Sequence, residues 1–299
     1  MRSAANPCPS HSLTIAKRAH YSPPMLESAP LPPPPPAQTQ SARWRWAIHL
    51  LVLSAYPLVL GIVAAIQHAD QSTPMLPSRV GPLLAAMSLE MLLFCFVFAV
   101  AVSISRPGWD TLWLRWKGRL QPLVRGFLYS IALRALLAVL MITIAGAAMV
   151  ATGGRDKIAD KLRPETEELV DAKALVDNPA YLALNLTLVS FVFAGFREEL
   201  WRAGMLAGFN ALLPGGLAQP AGRWLAIGFT AVVFGLGHLP QGWGGVLMTG
   251  ALGFGLGVII VRQRSIWDAV LAHGFFNATT FVLLYGLARF RPDLIPAAH

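Results

Sequence analysis

Residues 180–202 read AYLALNLTLVSFVFAGFREELWR, an apolar run that closes on Arg197, Glu198, Glu199, Leu200, Trp201 and Arg202. A helix that crosses a bilayer needs about 20 mainly apolar residues, and this run supplies them. Ionisable side chains at membrane depth cost roughly a few kcal/mol each, so two glutamates and an arginine there point to function. On a helix that turns about 100° per residue, Glu198 and Arg202 share a face. Glu199 and Arg202 also come within reach of one another.

Composition puts the rest of the chain in the same class. Of 299 residues, 55% are hydrophobic and 13% charged, whereas soluble domains carry about 25% charge. The expected fold is all-α, a polytopic transmembrane bundle of about seven to eight spans, with apolar stretches near 46–66, 82–104, 127–151, 180–197, 224–238, 246–261 and 267–288. Residues 1–45, with Pro32 to Pro36 and many Ser, Ala and Gln, read as a disordered, partly polyproline II tail. Residues 46–179 read as N-terminal spans, and 180–289 as the C-terminal core of the bundle. Between Trp109 and Arg125, the spacing of Trp109, Leu112, Trp113, Trp116 and Leu120 among Arg115, Lys117 and Arg119 predicts an amphipathic helix at the membrane interface.

The net charge of +9 invites a nucleic-acid partner, but the cations sit in short connections without a basic face, so none is expected. They mark topology instead. Arg2, Lys17, Arg18, Arg43 and Arg45 precede the first span, Arg106 to Arg125 separate the second from the third, and Arg262 and Arg264 follow the sixth. The positive-inside rule gives these three regions one cytoplasmic side, with the N-terminus inside. The 155–179 connection carries both signs and suits the outer side. Seven spans put the C-terminus outside, although Arg289 and Arg291 weigh against that end. No apolar run in the first 40 or so residues is long enough for a signal peptide, and a prokaryotic inner membrane is the expected location. Cys8 and Cys95 offer neither a disulfide framework nor a cysteine metal site.

Three polar clusters carry the chemistry. Two adjacent carboxyls in a low-dielectric site have their pKa values pushed apart, and one near its working pKa can take a proton from water and hand it to a leaving amine. The plainer reading of that cluster is a helix end solvated by headgroups. His238 ends the run from Trp224 to Gly237, a position where a structural hydrogen bond is the common role. His273 and Asn277, four apart, project from one helix face. Their N–H groups can converge on one oxygen, as an oxyanion requires, or bond between helices.

Taken in order, Glu198-Glu199 with Arg202, Phe234-x-x-x-His238 and His273-x-x-x-Asn277, each on its own hydrophobic helix, resemble the CAAX-processing and bacteriocin-immunity-type family of intramembrane glutamic endopeptidases. The resemblance covers roughly 180–289. It implies hydrolysis of a peptide bond in a membrane-associated protein or peptide precursor within the lipid bilayer, with no cofactor required. It further implies that Glu198 activates water with His238, that Glu199 pairs with Arg202, and that His273 and Asn277 steady the oxyanion. The other readings of the same residues are a zinc protease with His238, His273 and a glutamate as ligands, a proton- or cation-coupled transporter, and a silent scaffold.

The chain departs from the family at one point. Glu-Glu-x-x-Arg stands where the family has Glu-Glu-x-x-x-Arg. Aligned on the glutamates, the roles above hold; aligned on the arginine, Glu198 becomes the pairing carboxylate and Arg197 takes the catalytic place. Depth raises a second question. At about 1.5 Å per residue, Glu198 falls near the cytoplasmic boundary with His273 a turn or two from it, and His238 near the outer one, unless a tilted, broken or late-starting helix around Pro214 to Pro220 brings them together.

Overall fold

The computed structural model describes residues 40–68, 76–152 and 170–291, and the regular structure among them is helical. The helices are α1 (Gln40–His68), α2 (Val80–Ser105), α3 (Gln121–Thr152), α4 (Ala172–Asp177), α5 (Pro179–Leu212), α6 (Pro220–Leu236), α7 (Gly242–Gln263) and α8 (Trp267–Phe290). Six helices are long and apolar enough to cross a membrane, and α6, with 17 residues, is a shorter apolar one. Those seven coincide with the seven apolar stretches. Large apolar side chains such as Ile131, Leu136, Val139, Ile142 and Val150 of α3 stand exposed, a surface that water would not tolerate and lipid accepts. The chain is an integral membrane protein.

Three elements differ from expectation. The proline-rich tail lies outside the described residues up to residue 39, and from Gln40 the chain is already helical, ahead of the expected boundary at 46. The amphipathic helix over 109–125 does not form as one piece: a 3-10 turn covers Trp109–Leu112, and α3 starts only at Gln121. Trp113 at φ 51° and Gly118 at φ 83° take left-handed backbone, which ends helical growth. The run expected to stop at 197 continues to Leu212 as one helix of 34 residues.

That continuation and the shortness of α6 answer the question of depth. Glu198 sits well inside α5 rather than at its end. Helix α6 has 17 residues, about 26 Å of rise, and falls short of the roughly 30 Å hydrocarbon layer. His238 stands just beyond its end and borders the same cavity as Glu198, so the two meet despite their counted depths. The middle of α5, Asn185–Arg197, is wound as a π-helix, a form that occurs mainly at functional sites. Inside it, the Ser190 hydroxyl donates to the Asn185 carbonyl at 2.6 Å. Asn178 opens α5 by accepting from the Ala180 and Tyr181 amides, with Pro179 in the first turn.

Close approaches at small residues set the helices around the site. A Cβ on Gly195 of α5 would lie 2.9 Å from the Val270 carbonyl oxygen of α8, so the two backbones meet there. Pro57 lies inside α1 and leaves the Leu53 carbonyl without its helical donor. The indole Nε1–H of Trp201 in α5 fills that vacancy at 2.8 Å. Arg125 of α3 pairs with the buried Asp268 of α8 at 2.6 Å.

Among the described residues, the cations of the three basic regions, with Arg43 and Arg45 for the first, gather at one end of the bundle. The Ile266 amide donates to the Trp113 carbonyl at 3.1 Å, and the Trp267 indole to the Leu114 carbonyl at 2.7 Å. Trp46 of α1 packs with Leu112 and Ala207 at the same end.

Candidate active site

Helix α5 presents its two glutamates differently. Glu199 is wholly buried, ion-paired through Oε1 with Arg202 Nη1, and accepts from His273 Nδ1 at 2.9 Å. Arg202, itself fully buried, lies 4.5 Å from the centroid of the Phe234 ring, and its Nη2 would sit 3.3 Å from a Cβ on Gly253. The same Cβ would stand 2.7 Å from the Phe234 ring, so a glycine on α7 gives the stacked ring and guanidinium their space. The cation, a carboxylate, an imidazole and an aromatic face thus interlock α5, α6 and α8, with α7 packed against them at Gly253. Of the two alignments of the shortened motif, the structure has Glu199 paired with Arg202.

Glu198 turns the other way, toward a cavity of about 140 Å³. His238, Phe234, Trp201, Tyr56 and Glu90 share its walls with Glu198. The apolar members lower the local dielectric, which strengthens every charge effect inside. His238 Nδ1–H donates to the Phe234 carbonyl at 2.9 Å. In the tautomer that carries its proton on Nδ1, Nε2 is the free acceptor. The Phe234 ring stands edge-on to it, centroids 4.7 Å apart, so Phe234 orients His238 with its carbonyl and ring while covering Arg202.

His273 is committed to the glutamates rather than to the cavity wall. With Nδ1 donating to Glu199, its Nε2 lies 3.8 Å from Glu198 Oε2. A nitrogen so placed donates to an oxyanion only when it carries the second proton. Asn277, one turn further along α8, is half-buried, and its carboxamide makes no hydrogen bond among the described residues. The structure thus brings Glu198, Glu199, Arg202, His238 and His273 together and leaves Asn277 as their neighbour on α8.

Two residues of the site, Tyr56 and Glu90, escaped the motif reading, and Arg197 entered it only as a rival for the catalytic place. Arg197 bridges Glu198, at 3.1 Å, and Glu90 of α2. Tyr56 of α1 turns a buried hydroxyl without a hydrogen-bond partner toward the same space. Glu90 had a signal, because it is the lone charge in the run from Val80 to Ser105. Among the described residues, no group of three or more His, Cys, Asp or Glu side chains is arranged to hold a metal ion.

Residues 180–279 match the family described as type II CAAX prenyl endopeptidase Rce1-like. The match spans all three motifs and bears out the resemblance read from them: the membrane core of this chain is similar to that of a family of membrane endopeptidases. No curated protein and no solved structure matches the chain.

Proposed function

We propose that the chain is an intramembrane endopeptidase in which Glu198 is the general base for water and His238 its partner. The observation that carries this reading is the division of the glutamates: Glu199 is locked by Arg202 and His273, while Glu198 and His238 border one cavity. A water between them gives a proton to Glu198 as its oxygen attacks the scissile carbonyl carbon, and the carbonyl electrons move to oxygen. His238 Nε2, an acceptor in the resting site, holds the water by its second hydrogen. When the C–N bond breaks, the proton on Glu198 passes to the amine nitrogen; the carboxylic acid left behind, which still holds the water's second hydrogen, gives that proton to the amine, and the products leave as carboxylate and ammonium. Asn277 and the doubly protonated form of His273 are the donors we assign to the oxyanion. The Glu199–Arg202 pair keeps α5 in register and holds His273 by its Nδ1.

The substrate class we propose is a membrane-associated protein or peptide precursor, a lipidated C-terminus being one form. We further propose that the basic end faces the cytoplasm and that no metal takes part. Arg202 already neutralises Glu199, so a zinc ion bound there would have to sit beside a buried guanidinium. Full cleavage after treatment with a zinc chelator is the expected result; loss restored by added zinc would favour the metal reading.

The deciding experiment compares protein termini and membrane peptides from cells carrying the wild-type chain with those carrying Glu198→Ala at matched abundance. A defined set of precursors should accumulate uncleaved in the variant, and His238→Ala should accumulate the same set. Identical termini in all three would remove the protease reading and leave a transporter or scaffold.

A further inference from the structure

The guanidinium of Arg197 joins two carboxylates from different helices. Its Nη1 is ion-paired with Glu90 Oε1 of α2, and its Nη2 donates to Glu198 Oε1 at 3.1 Å. The Arg197 side chain is 13% exposed and that of Glu90 is 45% exposed. All three line the cavity. A carboxylate in so apolar a helix needs a reason, and here its partner is the residue that touches the proposed base.

We infer that Glu90 is a positioning residue of the active site: by holding Arg197, it fixes the aim of Glu198. This rests on the reading of Glu198 as the base. A guanidinium is a rigid planar fork, so anchoring one arm on Glu90 sets the plane in which the other arm meets Glu198. Without that anchor, both arms are free to close on Glu198 and hold its oxygens away from water. Charge acts in the same direction, since Glu90 divides the Arg197 cation between two anions. The other titratable groups around Glu198 are Tyr56 of α1, Glu199 of α5, His238 beyond α6 and His273 of α8. None of them touches Arg197 through a hydrogen bond or an ion pair among the described residues. Helix α2 lies outside the segment 180–279 that matches the family, so the N-terminal part of the chain supplies a working piece of the site.

The test is the processing rate, after a pulse of label, of the precursors that Glu198→Ala leaves uncleaved, with variants held at wild-type abundance. Glu90→Gln should slow processing about tenfold, the scale of coupling within one salt-bridge network. Glu90→Asp should recover most of the rate, which a mere loss of packing would not predict. In an Arg197→Met background, Glu90→Gln should add no further loss. Wild-type rates in Glu90→Gln, or the same slowing with and without Arg197, would overturn the inference while leaving the protease reading intact. If wild type and Glu198→Ala process nothing differently, the protease reading falls and this inference falls with it.

Discussion

Arg202 and Glu199 are both fully buried, and each is the other's compensation. Removing one partner of such a pair leaves a naked charge and costs about 3–5 kcal/mol. Arg202→Met should therefore lower the thermal unfolding midpoint in detergent, and the double variant with Glu199→Gln should recover part of the loss. Arg202→Lys should not recover it, since an ammonium lacks the planar fork and stacks poorly on Phe234. Glu198→Gln should behave in the opposite way, losing cleavage while its midpoint stays at the wild-type value, because its side chain borders a cavity. Thermal unfolding followed by tryptophan fluorescence separates the two patterns. At this scale the motif residues were legible, because charges in apolar runs stand out. The pairing of Glu199 with Arg202 came from aligning the motif on its glutamates, since spacing alone left both open: three and four residues each place side chains on one helix surface. Arg197 was legible only as a rival for the catalytic place, because its bridge to Glu90 joins residues far apart in sequence.

Helices α5 and α8 meet through small residues, and the contact of Glu199 with His273 depends on how closely they approach. A Cβ on Gly274 would lie 2.2 Å from the Phe191 ring. Gly274→Val should force the two helices apart, lower the unfolding midpoint and abolish cleavage together, unlike Glu198→Gln. On the other side of the site, His49 of α1 is fully buried, with Nδ1 3.0 Å from the Ala101 carbonyl and Nε2 3.0 Å from the Gly204 carbonyl. It ties α1 to α2 and α5. His49→Ala takes the imidazole from the Gly204 carbonyl, while the Ala101 carbonyl keeps the Ser105 hydroxyl at 3.0 Å; chemical unfolding should show a loss of about 1–3 kcal/mol. The existence of the helices was plain from the apolar runs, because a bilayer sets their length. Their boundaries were less so. Residues 109–125 have helical spacing of tryptophans, yet Trp113 and Gly118 take left-handed backbone that no side-chain periodicity reports. The π-winding of Asn185–Arg197 was likewise hidden, because it is a choice of hydrogen-bond partner along the backbone and leaves the apolar character of the run unchanged.

At the scale of the molecule, three basic regions far apart in sequence share one end, held by the bond from Ile266 to the Trp113 carbonyl and by the packing of Trp46 on Leu112. Exposed cations there include Arg43, Arg106, Lys117 and Arg262. Lys173 at the start of α4 and Arg291 after α8 belong to the opposite end, since each is separated from the basic end by one full pass of the chain. With Cys8 and Cys95 replaced by serine, single cysteines at 117 and 262 should react with a membrane-impermeant maleimide only after cells are permeabilised, and cysteines at 173 and 291 should react in intact cells. The prediction separates two claims. Reaction of all four with sides exchanged would reverse the orientation given by the positive-inside rule and leave the fold untouched. Different behaviour of 117 and 262 would break the fold itself, because the Lys117 ammonium lies 3.5 Å from the Gln263 carbonyl and no membrane fits between them.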